Sequence, residues 1–307
     1  MAARLLRFQV IVTLASLLAC RDKAADATNS GRATLPPIFP KGPSTNANWD
    51  ASAGSILLAS VGNIEDSAEI VLPDVTDSTI AFLHDAPPPL TGVRVDLFGR
   101  SGKLASGVSI SPLSGVDTTD GCYTWPAARI KPSTSGWQVA FVTGHVTAMK
   151  LDSIETLSSV DSAGLAADLT RSAATIPATS DPVFRGLPFR VRSAYQFSFD
   201  SVDAVIADIV RSVNEEATPR LEQLLLIGEK PRRSAGKYSV VYYNRTAGAE
   251  ESTQVTEVLA MISIGSPRHP AAVISVVYND GGRLGLLERT GASEWRTTWR
   301  SAYTGCD

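Results

Sequence analysis

Three histidines, His84, His145 and His269, are the only imidazoles in the 307 residues, and none stands at metal-ligand spacing from another or from a cysteine. His84 precedes Asp85 and a run of prolines, and His269 sits between Arg268 and Pro270, so both read as loop residues. His145, beside Gly144 at a strand end, is the one histidine to weigh for acid–base work, a solvated or structurally hydrogen-bonded imidazole being the favoured reading. Carboxylates are more numerous. The pairs Glu215-Glu216 and Glu250-Glu251, with Glu222 and Glu257 beyond them, would suit glycoside hydrolysis only if the fold set two of them across a cleft. Lying in or near polar turns, they read more simply as solvated charge.

The short motifs fail one by one. Gly99-Arg100-Ser101-Gly102-Lys103 lacks the last glycine of a nucleophile elbow and the hydroxyl residue that closes a phosphate loop, so a Gly-rich hairpin turn is expected. Ser234-Ala235-Gly236-Lys237 has the S-x-x-K spacing of penicillin-recognising enzymes but no partner motif downstream. Asp117-Thr118-Thr119-Asp120-Gly121 lacks the alternation and terminal Glu of a calcium loop. Asn244-Arg245-Thr246 has the form of a glycosylation acceptor. No catalytic residue, metal or cofactor is therefore expected.

The elements that would carry a site are mostly strands. Val93, Val95 and Leu97 alternate with polar residues, as do Trp137, Val139 and Phe141, and the period-two pattern runs longest from Phe189 to Phe199. Trp125 sits in the cysteine- and aromatic-rich run 121–126, where burial is the favoured reading. Asp161 to Ala174 reads as a helix capped by Asp161 or Ser162 and stopped by Pro177. Residues 203–216 also carry apolar groups at helical spacing, but their β-branched content favours a strand. Arg211 to Thr218 is echoed by Arg245 to Thr253, each followed by a long apolar run, and each is read as strand, turn, strand. Asn279-Asp280-Gly281-Gly282 signals a third hairpin. In the last strand, Trp295 and Trp299 are expected on one buried face, with Arg296, Thr298 and Arg300 on the other.

The N-terminus carries an address. Arg4 and Arg7 precede an uncharged run, Phe8 to Ala19, too short to span a bilayer. Its end, Leu17-Leu18-Ala19-Cys20, resembles the lipobox of bacterial lipoproteins. The resemblance covers residues 1–20 only. It implies cleavage after Ala19, acylation of Cys20 and anchorage by two or three chains. With Arg21 and not Asp after the cysteine, it implies an outer-membrane lipoprotein. Residues 20–48, rich in Ala, Thr, Ser and Pro, then read as a tether.

Loss of Arg4 and Arg7 makes a formally acidic chain (−3) more acidic still, and its basic residues are scattered, so no nucleic-acid partner is expected. In an oxidising compartment Cys122 and Cys306 are expected to bridge, the alternative being two buried thiols. The whole reads as a mainly β protein of antiparallel hairpins with one short helix near 161–174, in a β-rich region 49–178 and an antiparallel region 187–307. The expected role is non-catalytic binding or scaffolding at the envelope, with ligand and protein partner undefined by the sequence. The alternative is an envelope hydrolase whose carboxylates, or His145, meet only in the fold.

Overall fold

Alternation at period two makes one-sided strands, whereas an unbroken apolar run makes a strand buried on both faces, and both kinds build this fold. The computed structural model describes residues 56–59, 67–71, 91–114, 122–177, 181–213, 218–278 and 281–306. Cys20, His84, residues 117–121 and Glu215-Glu216 lie outside them, as do the side chains of Cys122 and Cys306. The described part is mainly β and antiparallel, with one helix of any length.

Strands β1 (Ile56–Ala59), β2 (Ser67–Val71), β3 (Arg94–Gly99), β4 (Gly102–Ser114), β6 (Ala127–Lys131) and β7 (Val139–Val142) close into a barrel in the order β1-β2-β6-β4-β3-β7. Six strands leave a narrow interior. Alternate strand positions fill it with Ile70, Val95, Leu97 and Ile130 and with the small side chains of Ala68, Ala128 and Ala140, joined by Trp137 just before β7, which does not share the outward face of Val139 and Phe141 expected of it.

Two five-stranded sheets follow. The outer sheet is a meander of β10 (Arg190–Phe199), β11 (Val202–Val213), β12 (Arg220–Pro231) and β13 (Ser239–Ala249), edged by β9 (Asp152–Ser153). The central sheet is a second meander, β14 (Val255–Ile264), β15 (His269–Tyr278), β16 (Gly281–Gly291) and β17 (Glu294–Arg300), edged by β8 (Thr147–Met149). Phe98, Trp125 and Phe141 pack from the barrel side against Leu259, Ile262, Val273, Leu286 and Trp299 of the central sheet. Its other face, through Met261, Ile274, Leu287 and Trp295, meets Phe197, Ile206, Leu225 and Ile227 of the outer sheet. The outer sheet's far face, with Val205, Ala207, Ile209, Leu224 and Leu226, is covered by Leu169, Ala173 and Ile176 of helix α1 (Ser159–Thr175) and its C-cap. The layers are thus barrel, sheet, sheet, helix.

This layering explains where sequence and structure agree and where they part. Residues 203–213 form a strand because Ala204 and Ile206 face one layer while Val205, Ala207 and Ile209 face the next. A strand buried on both sides contains every spacing, helical ones included. The cap of α1 is Ser158, whose hydroxyl accepts the Asp161 N–H at 3.2 Å, and not Asp161 or Ser162. The repeated segments differ in role. Arg211 to Thr218 joins β11 to β12 within one sheet, but Arg245 to Thr253 leads from β13 across to β14 in the other, with Thr253 Oγ1 donating to Ala249 O at 2.7 Å.

Trp295 and Trp299 are both buried, yet on opposite faces. Leu286 pairs with Trp299 and Leu287 with Thr297, so Thr298 is an extra residue that flips the alternation between the two indoles. At the third hairpin the register runs to Tyr278 opposite Gly281; Asn279 and Asp280, the signal read in the sequence, lie outside the described residues. Gly281 is glycine for a different reason than a turn: the C-terminal segment crosses it, and a Cβ there would lie 1.9 Å from the Thr304 carbonyl oxygen.

Polar groups pin the two sheets together. The Gln223 amide behaves like an added peptide unit: it accepts the Thr256 N–H at 2.8 Å and donates to Thr256 O at 3.0 Å and to Asp208 Oδ1 at 2.8 Å. At the far end Glu229 of β12 accepts from Arg289 Nε at 2.8 Å and from Trp295 Nε1 at 2.7 Å. Trp295→Phe keeps the ring but removes that donor, and should lower the stability read from the urea midpoint by about 1–3 kcal/mol. An unchanged midpoint would show that the indole contributes bulk alone.

Candidate functional site

Charged residues inside a strand buried on both sides mark the place to look, because such groups need partners. Arg211 on β11 lies directly opposite Glu222 on β12, and Arg245 lies opposite Leu224 on the next strand, β13. All three project toward the helix layer. Glu222 is fully buried, so it is not the solvated turn charge its sequence neighbours suggested. One oxygen accepts from Arg211 Nε, the other from Arg245 Nη1 at 2.8 Å.

Each guanidinium also ties down the layer above. Arg245 Nη2 donates to the carbonyl of Ile176, the C-cap of α1, at 3.3 Å, and Arg211 Nη1 reaches Leu187 O at 3.4 Å. Arg211 stacks over Phe189, 4.5 Å from the ring centroid, a favourable position for a planar cation. Both arginine side chains are about 9% exposed. Two cations on one buried carboxylate leave one positive charge in excess, and the buried Arg245 Nε has no hydrogen-bond partner among the described residues.

These arginines form part of the wall of an open cleft of about 500 Å³. On one side α1 presents Ala167, Thr170, Arg171 and Ala174, spaced three and four apart as one helix face; on the other stand Leu187, Pro188 and Phe189. The nearby carboxylate Asp168 is again shared by two cations, Arg171 and Lys237, which hold it below the usual aspartate range. The cleft is therefore electropositive within an acidic chain. Its volume is in the range of small-molecule sites.

A second cleft, about 410 Å³, opens where β10, β14 and the β3–β4 turn meet, and is lined by Arg100, Arg192, Tyr195, Asp208 and Glu257 among others. Bulges at Arg192 and Leu259 flank it. Burial pushes the Asp208 carboxyl up, with the nearby Glu257 charge adding to it against the opposing pull of Gln223 and Arg192. A raised carboxyl beside a second carboxylate is the charge pattern of an acid and a base. Here each is engaged: Asp208 with Arg192 and Gln223, Glu257 with Arg100, whose Nε also caps Val258 O at 2.8 Å. The network joins the three layers at their common edge.

The other sequence candidates are dispersed. His145 is exposed in a turn, and its ring makes no hydrogen bond to a described residue. His269 pairs through Nε2 with Glu288 at 2.7 Å, a contact its sequence neighbours did not announce. Glu250 and Glu251 are exposed in a short turn, as expected of solvated charge. Glu222 lies fully buried behind the arginines of the first cleft, whereas Glu257 lines the second, so the two do not meet. Residues 99–103 form the expected hairpin, and Ser234 Oγ accepts from Gly236 N at 3.0 Å within a turn while Lys237 serves Asp168. No group of three or more potential metal ligands occurs among the described residues. Arg211 and Arg245 entered the sequence reading only as the heads of the repeated polar segments, and Asp208 escaped it; for Arg211 and Asp208 the signal was a charge standing inside the apolar run of β11.

The chain matches no protein-family model, no curated protein and no solved structure.

The raised Asp208 carboxyl has a readable sign. Its neutral form favours the fold, so its contribution is fully present below the unfolded-state pKa and is lost as pH rises through the higher folded value. Wild type should therefore lose stability relative to Asp208→Asn as pH rises from the ordinary aspartate range upward. Urea unfolding of both proteins across that range tests this; a difference independent of pH would refute it.

Proposed function

We propose that this chain is a lipid-anchored envelope protein that binds a small anionic ligand in the cleft between α1 and the outer sheet, without chemistry of its own. The observation that carries the reading is the sharing of buried Glu222 by Arg211 and Arg245 at that cleft, which leaves a positive charge for a ligand to meet. Anchorage through Cys20 rests on the lipobox-like end of the N-terminal run. Among the described residues no helix is long and apolar enough to cross a membrane.

A Cys122–Cys306 bridge belongs to the same proposal. The two residues are direct partners in the two-stranded ladder of β5 (Cys122–Tyr123) and β18 (Gly305–Cys306), a pairing whose Cα separation falls within disulfide range. Among the described side chains there is no disulfide, and those of Cys122 and Cys306 lie outside them. A bridge would fasten the C-terminus to the segment between barrel strands β4 and β6.

In a bacterial host, a fatty-acid analogue should label the wild-type protein and not Cys20→Ser; a labelled, membrane-bound Cys20→Ser protein would contradict the anchor. Small anions at fixed ionic strength should add stability, roughly 2.7 kcal/mol at a hundredfold excess over Kd, and so raise the melting temperature. A melt that ignores every anion would contradict the binding site.

A further inference from the structure

Resting on the anion-binding reading, we infer that the ligand is a monocarboxylate with an apolar body, such as a medium-chain acyl carboxylate. Charge sets the head group. At the buried end of the cleft Arg211 and Arg245 against Glu222 leave a surplus of one, which a single carboxylate balances, and guanidinium groups match the planar fork of a carboxylate; the second surplus, Arg171 and Lys237 on Asp168, is exposed at the rim where solvent and salt screen it. The two arginines are about 9% exposed, so the head group sits deep, at the level of the Phe189 ring that stacks on Arg211.

The walls set the rest of the molecule. Above the arginines, α1 offers Ala167 and Ala174 with Thr170 between them, and the facing segment offers Leu187, Pro188 and Phe189. Apart from Thr170 and the guanidinium of Arg171 at the rim, these surfaces give nothing for the hydroxyls of a sugar or the edges of a base. They suit a chain of methylenes laid between the helix and Pro188, each burying further apolar area. The opening to solvent leaves the tail's far end free, so chain length is limited by the cleft of about 500 Å³ and not by a closed wall.

Titration calorimetry on the full chain carrying Cys20→Ser, free of detergent, separates the possibilities. Octanoate should bind, while octan-1-ol, acetate and inorganic phosphate should bind at least roughly tenfold more weakly, a difference of about 1.4 kcal/mol. Ala174→Leu fills the wall at an exposed helix position without touching the arginines, and should weaken octanoate by a similar factor while leaving the melting temperature without ligand unchanged. Acetate or phosphate binding as tightly as octanoate, with Ala174→Leu silent, would overturn the amphiphile and keep the anion site. Octan-1-ol binding as tightly as octanoate would overturn the carboxylate. No binding of any anion would overturn both this inference and the function proposed above.

Discussion

The central sheet is covered on both faces, and the rest of the molecule is arranged to keep it so. Residues such as Ala271 and Val273 look toward the barrel while Ala272 and Ile274 look toward the outer sheet, so one strand segment belongs to two cores. Burial on both sides brings the largest return in apolar area per residue and removes any wet face on which a polar residue would be tolerated. The polar groups that enter between the two sheets include matched sets. Gln223 completes the backbone of Thr256, and Glu229 gathers Arg289 and the Trp295 indole. Such pins cost desolvation and return specificity, since a sliding of one sheet over the other would leave each of them unpartnered.

The same logic gives the outer sheet its electrostatics. Its far face is apolar where α1 lies, and charged where the helix ends. Arg245 serves there as a cap for the α1 carbonyls and as a partner for Glu222, and Arg211 fastens the segment that leads into β10. Removing one member of a buried ion triad is costly because the others keep their charge. The surplus charge of this clamp is a structural feature first; in the function proposed here, the cleft beside it is what would let an anion reach that surplus.

Much of the fold was legible in the sequence. The strand at 190–199, the helix near 161–174, the turn at 99–103 and the burial of both tryptophans all rest on local spacing, and the structure has them, although the bulge at Arg192 turns Phe189 and Val191 toward the helix layer and Tyr195, Phe197 and Phe199 toward the central sheet. What spacing alone hid were matters of neighbours. Whether a strand is covered once or twice decides how 203–216 reads, and that depends on layers far away in the chain. A single inserted residue, Thr298, reverses a face and leaves no mark in composition. The cleft was hidden for the same reason: Arg211, Glu222 and Arg245 come from three strands, and each seemed to belong to a polar turn. The Asp208 carboxyl, set within Val202 to Val213, was passed over as one polar position in an apolar run.

The claim that a surplus positive charge makes the α1 cleft a carboxylate site is tested most directly by Glu222→Gln unfolded in urea with and without octanoate. The substitution strands two buried guanidinium groups and should destabilise the protein by about 3–5 kcal/mol. Because it also raises the surplus charge, octanoate should restore part of that loss and shift the Glu222→Gln midpoint further than it shifts the wild type. A midpoint indifferent to octanoate, or moved equally by octan-1-ol, would contradict the account.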